Sequence, residues 1–129
     1  KQGDILALPP EDRSVHSLSC LHVIEHIGLG RYGDPIAPDG PVQAARELAR
    51  ILAPGGRLYV STPVGRARVC FDAHRVFDAE EFVSLFPGLE LDDACFIDDD
   101  GLVQAMVFDQ TRTANYGCGL FVLRRPAKE

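Results

Sequence analysis

The chain has no tryptophan, a single methionine and no surplus of positive charge: 13 Lys and Arg stand against 19 Asp and Glu, a formal net charge of −6. A surface that tracks the phosphates of nucleic acid or anionic lipid needs clustered excess cations, so a general binder of either kind is excluded. The one adjacent basic pair, Arg124-Arg125, reads as a solvated strand terminus. With no tryptophan and three scattered tyrosines, nothing aromatic is placed to suggest a nucleobase pocket. No uninterrupted apolar run approaches the roughly 20 residues that span a bilayer. The opening Lys1-Gln2-Gly3-Asp4, followed by a short apolar patch and Pro9-Pro10, is not patterned as a secretory signal. Cys20, Cys70, Cys95 and Cys118 are far apart with no C-x-x-C pair, and three of them sit inside or beside apolar runs. They read as buried free thiols of a reducing cytoplasm rather than as a disulfide or metal framework.

What is present has the bulk of an ordinary globular domain: 129 residues, 46% hydrophobic and 25% charged. That length fits one core and not two, so residues 1–129 are expected to form a single cytoplasmic domain. The run at 14–21 predicts a strand that ends near His22. Four glycines and three prolines between 28 and 41 predict a long loop. Val42, Ala45, Leu48, Ala49 and Leu52 then recur at helical steps, with Arg46, Glu47 and Arg50 on the polar side. Pro54-Gly55-Gly56 stops this helix and a strand follows over 57–62. Strand, loop, helix and strand in that order predict a crossover between parallel strands, hence an α/β fold. Downstream, Asp78 with Glu81 three residues on predicts a capped second helix that buries Phe82, Leu85 and Phe86. Residues 89–97 and 119–123 read as strands, 98–101 as an acidic turn, and 102–109 as either strand or short helix.

Two short motifs carry possible chemistry. His22-Val23-Ile24-Glu25-His26 is a literal H-x-x-E-H, which on a long helix would give a zinc hydrolase: two imidazoles on one face and a glutamate as base. Its setting between a strand and a Gly/Pro-rich loop argues against that helix. Asp72-Ala73-His74-Arg75 falls just past the second strand, where open α/β sheets place ligands. His74 can serve as a general base and Arg75 can hold a carboxylate or phosphate on two hydrogen bonds; the plainer reading is a capped turn with a packed histidine.

Taken together, Gly3-Asp4-Ile5-Leu6-Ala7-Leu8-Pro9, the strand running into His22-Val23-Ile24-Glu25-His26, the helix with Arg46-Glu47-Leu48-Ala49-Arg50-Ile51-Leu52, and Ala53-Pro54-Gly55-Gly56-Arg57-Leu58 resemble the second half of a class I S-adenosylmethionine-dependent methyltransferase. Arg31-Tyr32-Gly33-Asp34-Pro35, Ala73-His74-Arg75-Val76-Phe77 and Tyr116-Gly117-Cys118-Gly119 extend the likeness to a little-characterised branch of that superfamily. The resemblance implies a Rossmann-like sheet, mostly parallel with antiparallel last strands, and S-adenosyl-L-methionine as cofactor. It implies that Asp4 accepts a hydrogen bond from the adenine amino group, with the Ile5 amide against the ring. Ser19, Cys20 and His22 would line the cofactor; Glu25, His26 and His74 would be the catalytic groups; Tyr32 and Arg75 would face a small-molecule or saccharide-like acceptor.

The sequence departs from that pattern in two places. His16 stands where the family usually has an acid, and there is no G-x-G-x-G loop; Gly28-Leu29-Gly30 follows the wrong strand to be one. The expected domain is therefore partial, with the strand at 14–21 open on one side. An open strand invites a homodimer through that edge, or a non-catalytic role as an assembly module.

Overall fold

The apolar run at 14–21 forms strand β1 (Val15–Leu21), and the amphipathic stretch forms helix α1 (Gly40–Ile51), in a computed structural model that describes residues 8, 10–26, 40–70, 74–114 and 116–127. Helix α1 starts earlier than the glycine and proline density suggested, taking in Gly40 and Pro41. Proline is tolerated in a first turn because the amide hydrogen it lacks would have no partner inside the helix there. The helix buries Ala44, Ala45, Leu48, Ala49 and Ile51, while Val42 is only half covered.

Chain reversal follows at once. Gly55, at φ 78°, supplies the left-handed residue of the turn, and the strand assignment β2 (Leu52–Val64) begins within it. Arg125 completes the junction. Its guanidinium donates to Leu52 O at 2.8 Å and to Ala49 O, and its carbonyl accepts from Gly55 N at 2.8 Å. Far from being a solvated terminus, Arg125 is 7% exposed and satisfies carbonyls that the end of α1 leaves open.

Beyond β2 come a hairpin of β3 (Arg68–Cys70) and β4 (His74–Val76), helix α2 (Ala79–Ser84), β5 (Glu90–Ile97), β6 (Val103–Ala105), helix α3 (Phe108–Thr111) and β7 (Gly117–Arg124). The undecided stretch at 102–109 is thus part strand and part helix. Asp78 caps α2, its carboxylate accepting from Glu81 N at 3.1 Å. The turn at 98–101 is organised by Asp98, whose Oδ1 accepts from Asp100 N and Leu102 N.

The main sheet has the order β1-β2-β7-β5-β6. Its β1–β2 ladder is parallel, and the β2–β7, β7–β5 and β5–β6 ladders are antiparallel. The architecture is an open, mixed α/β sheet of the expected kind, with a smaller parallel share than expected. β1, β2 and β5 all point one way, but β7 enters between β2 and β5 from the opposite direction, so only β1–β2 pair in parallel.

One face of the sheet holds the core. Leu58 and Val60 of β2 and Phe121 and Leu123 of β7 pack with Leu48 of α1 and with Phe82 and Phe86. The Phe82 ring lies 5.4 Å from that of Phe121 and 5.0 Å from that of Phe77, within the range of favourable aromatic contacts. Gly119 makes this packing feasible: a Cβ there would sit 2.6 Å from the Phe121 ring and 2.9 Å from Val64.

A candidate site at the carboxyl ends of β1 and β2

Immediately after β1 the chain turns at His22, which adopts a left-handed φ of 54°, uncommon for a residue with a side chain. Its amide donates to Ser61 O at 3.0 Å, which carries the β1–β2 ladder one bond further. A single 3-10 turn, Ile24–His26, then packs against α1, β2 and β4 and buries Ile24 and Glu25, the latter to 2% exposure. The turn brings Glu25 Oε2 to 3.4 Å from His22 Nδ1, while Cys118 Sγ, reaching across from β7, lies 3.6 Å from His22 Nε2. Nδ1 of the imidazole thus faces the carboxylate and Nε2 faces the thiol.

The electrostatics follow from burial. Desolvation, and after it the Glu25 carboxylate, push the Cys20 thiol up to about 11. The same two causes, with a smaller one from Cys95, raise Cys118. Both therefore rest as neutral thiols at neutral pH. Two hydroxyls at the end of β2, Ser61 Oγ and Thr62 Oγ1, are buried with no hydrogen-bond partner among the described residues, a costly state for a polar group.

The β3–β4 hairpin docks at the same end of the sheet. Phe77 N donates to Pro63 O at 3.1 Å, and Gly65 N donates to Phe77 O at 3.0 Å. Arg75 of β4 is buried to 8% exposure, and burial lowers its guanidinium from the usual value. It lines a cleft of about 320 Å³ with Arg68, Phe77, Asp78 and Glu81.

The structure thus brings His22 and Glu25 together, with β4 and Arg75 on the neighbouring hairpin. His26 is placed in the turn and His74 in β4 by their backbones. Ser19 is exposed beside Tyr59, on the sheet face opposite the core, whereas Cys20 points the other way and belongs to the core. Asp4, Ile5 and Tyr32 lie outside the described residues. The helix that a zinc reading of H-x-x-E-H requires is not formed: His22 precedes a three-residue turn in a left-handed conformation, so the two histidines do not share a helical face. Of the three thiols described, Cys20 is buried while Cys95 and Cys118 are half-buried, so the expectation of buried thiols holds for one. Cys118 is the member of the cluster that the sequence reading missed, because β7 lies beside β2 only through long-range strand order.

Comparison with solved structures gives the class first. The fold is that of class I S-adenosylmethionine-dependent methyltransferases. The chain is similar to the N-methyltransferase NodS of Bradyrhizobium japonicum in complex with S-adenosyl-L-homocysteine, at TM-score 0.61 and 18% identity, over 96% of this chain and 52% of that one. It is also similar to the [4+2]-cyclase SpnF, at TM-score 0.65 and 17% identity, over 98% of this chain and 55% of that one. A Galdieria sulphuraria protein provisionally assigned as a sarcosine dimethylglycine methyltransferase matches at TM-score 0.68 and 16% identity, over 100% of this chain and 59% of that one. The chain therefore spans a little over half the length of these structures. The chain belongs to the family described as Caenorhabditis protein of unknown function, DUF268, whose model matches residues 13–117. No curated protein matches the sequence. No helix among the described residues is long and apolar enough to cross a membrane.

Proposed function

We propose that the protein of which this chain forms part is a cytoplasmic methyltransferase acting on a small-molecule or saccharide-like acceptor with S-adenosyl-L-methionine as cofactor. The observation that carries this reading is the buried Glu25 carboxylate with its His22 partner, held at the carboxyl ends of β1 and β2, where ligands of open α/β sheets bind. A sulfonium is a cation, and a buried carboxylate suits one; the hydroxyls of Ser61 and Thr62, unpartnered among the described residues, add polar groups that a ligand can satisfy. The residues present therefore fit such a cofactor. When bound, it supplies an electrophilic methyl group on sulfur.

In this reading Asp4 and the Ile5 amide hold the adenine, Ser19 and His22 border the cofactor, and Cys20 supports that wall from within the core. Glu25, His26 and His74 manage the proton of the acceptor, which must be lost as its atom attacks. Arg75 and Tyr32 orient the acceptor, which mostly needs alignment for an in-line displacement. Calorimetric titration of the intact protein with S-adenosylhomocysteine tests the proposal: saturable binding is expected, weakened in Glu25→Gln, and no binding would overturn it. The isolated 129 residues are expected to bind weakly or not at all.

A second reading rests on β1, which pairs only with β2 among the described residues and stands at the end of the sheet. Unpaired backbone groups on such an edge recruit another strand, and a homodimer or an assembly role with no catalysis would use them. The cyclase among the similar structures is a reminder that one fold supports several functions. Gel filtration with light scattering is expected to give a dimer of the isolated chain; a monodisperse, thermally stable monomer would count against this edge as an interface.

A further inference from the structure

The Glu25–His22–Cys118 grouping is ordered as an acid–base relay to a nucleophile. Glu25 Oε2 lies 3.4 Å from His22 Nδ1, and His22 Nε2 lies 3.6 Å from Cys118 Sγ. Carboxylate, imidazole and nucleophile in that sequence is the arrangement by which a weakly acidic group is activated. Methyl transfer, as proposed above, makes no use of Cys118. Two further features lie on the sheet face that Cys118 shares with Leu120, away from the helices. A cleft of about 270 Å³ is lined there by Leu21, Tyr59, Cys95, Leu120 and Val122. Ser61, paired in the ladders with Leu21 and Leu120, lies on that same face with its buried hydroxyl unpartnered among the described residues.

We propose that Cys118 is a covalent attachment site for small α,β-unsaturated carbonyl compounds with an apolar body, with His22 as its base and Glu25 as the residue that positions His22. The thiol rests protonated, so it needs a proton acceptor at the moment of attack, and Nε2 is the group in reach. The Cys118 S–H proton passes to His22 Nε2 as the sulfur lone pair forms a bond to the β carbon. The electron pair of the carbon–carbon double bond shifts toward the carbonyl oxygen, which accepts a hydrogen bond from Ser61. The imidazolium, held by Glu25, then returns its proton to the α carbon. The thiol has added across the double bond, and nothing leaves. The apolar lining selects the body of the compound, and the Ser61 hydroxyl selects for its carbonyl. His22, Glu25 and Ser61 are shared with the cofactor site proposed above, and the addition itself needs no bound cofactor.

N-ethylmaleimide, a conjugated carbonyl compound, is the probe. The full-length protein is labelled at neutral pH, quenched over a time course and mapped by peptide mass spectrometry. Cys95, half-buried on the same face, is the internal reference. Cys118 is expected to react at least about a hundredfold faster than Cys95, the lower end of what a positioned base contributes, with a solvent deuterium isotope effect on Cys118 alone. His22→Asn, chosen because asparagine tolerates the left-handed backbone, should remove that advantage and leave Cys95 unchanged; Glu25→Gln should reduce it. Equal rates at the two cysteines in the wild type, or an undiminished Cys118 rate in a folded His22→Asn protein, would overturn the proposal. Because the wild-type ratio and isotope effect need no variant, a variant that fails to fold does not spare it.

Discussion

On the helix side of the sheet, Leu58, Val60, Phe121 and Leu123 are closed over by Leu48, Phe82 and Phe86. On the opposite side, of the residues that alternate with them, Tyr59 is 42% exposed and Leu120 and Val122 are half-buried. The same two strands thus carry both a finished and an unfinished surface, with the candidate site at the strand ends. Stability and reactivity are consequently separable. The inner face should dominate folding energy, and the outer face should tolerate change.

The sharpest way to break this contrast is Phe82→Ala. Phe82 is fully buried at the centre of the aromatic group, so its truncation should cost about 3–5 kcal/mol, read as a lowered urea midpoint. Arg125→Met comes next. It strands the carbonyls of Ala49 and Leu52 that the guanidinium satisfies, for roughly 2–3 kcal/mol, and thermal melting would report it.

Asp78→Ala is smaller, about 1 kcal/mol for a lost helix cap, and it carries a pH signature. The Arg112 guanidinium, 2.6 Å away, holds the Asp78 carboxyl below the usual carboxylate range. A depressed folded-state value stabilises above the unfolded value and is lost as pH falls, so wild type and variant should converge below about pH 4. Urea melts at pH 7 and pH 3 test the sign. Last, Tyr59→Ser on the open face should change stability within about 0.5 kcal/mol. A loss as large as that of Phe82→Ala would mean that the outer face is covered and the contrast false.

Much of the fold was legible because its signals are local. The apolar stripe and Pro54-Gly55 gave α1 and its end; Asp78 and Glu81 gave the start of α2. A four-residue helix such as α3 carries too few turns for periodicity, so 102–109 stayed open. Strand order is a long-range property, and nothing near Gly117 announces that β7 runs between β2 and β5. The candidate site divides along the same line. His22 and Glu25 were marked by what the family resemblance implies for the turn after β1, while Cys118 joins them only across the sheet. Burial also separated neighbours that the sequence treated alike, placing Ser19 in the open and Cys20 in the core.

The outer rim of β1, unpaired among the described residues, has a consequence in symmetry. An antiparallel ladder maps onto itself under a twofold rotation and a parallel one does not, so two copies meeting at Val15–Leu21 would pair their β1 strands antiparallel. A strand delivered to the same rim through a helical crossover would run alongside β1 in the same sense. The polarity of whatever pairs there, read from cross-links between Val15 or Leu21 and its new neighbour, therefore distinguishes self-assembly from completion of the sheet by a βαβ unit.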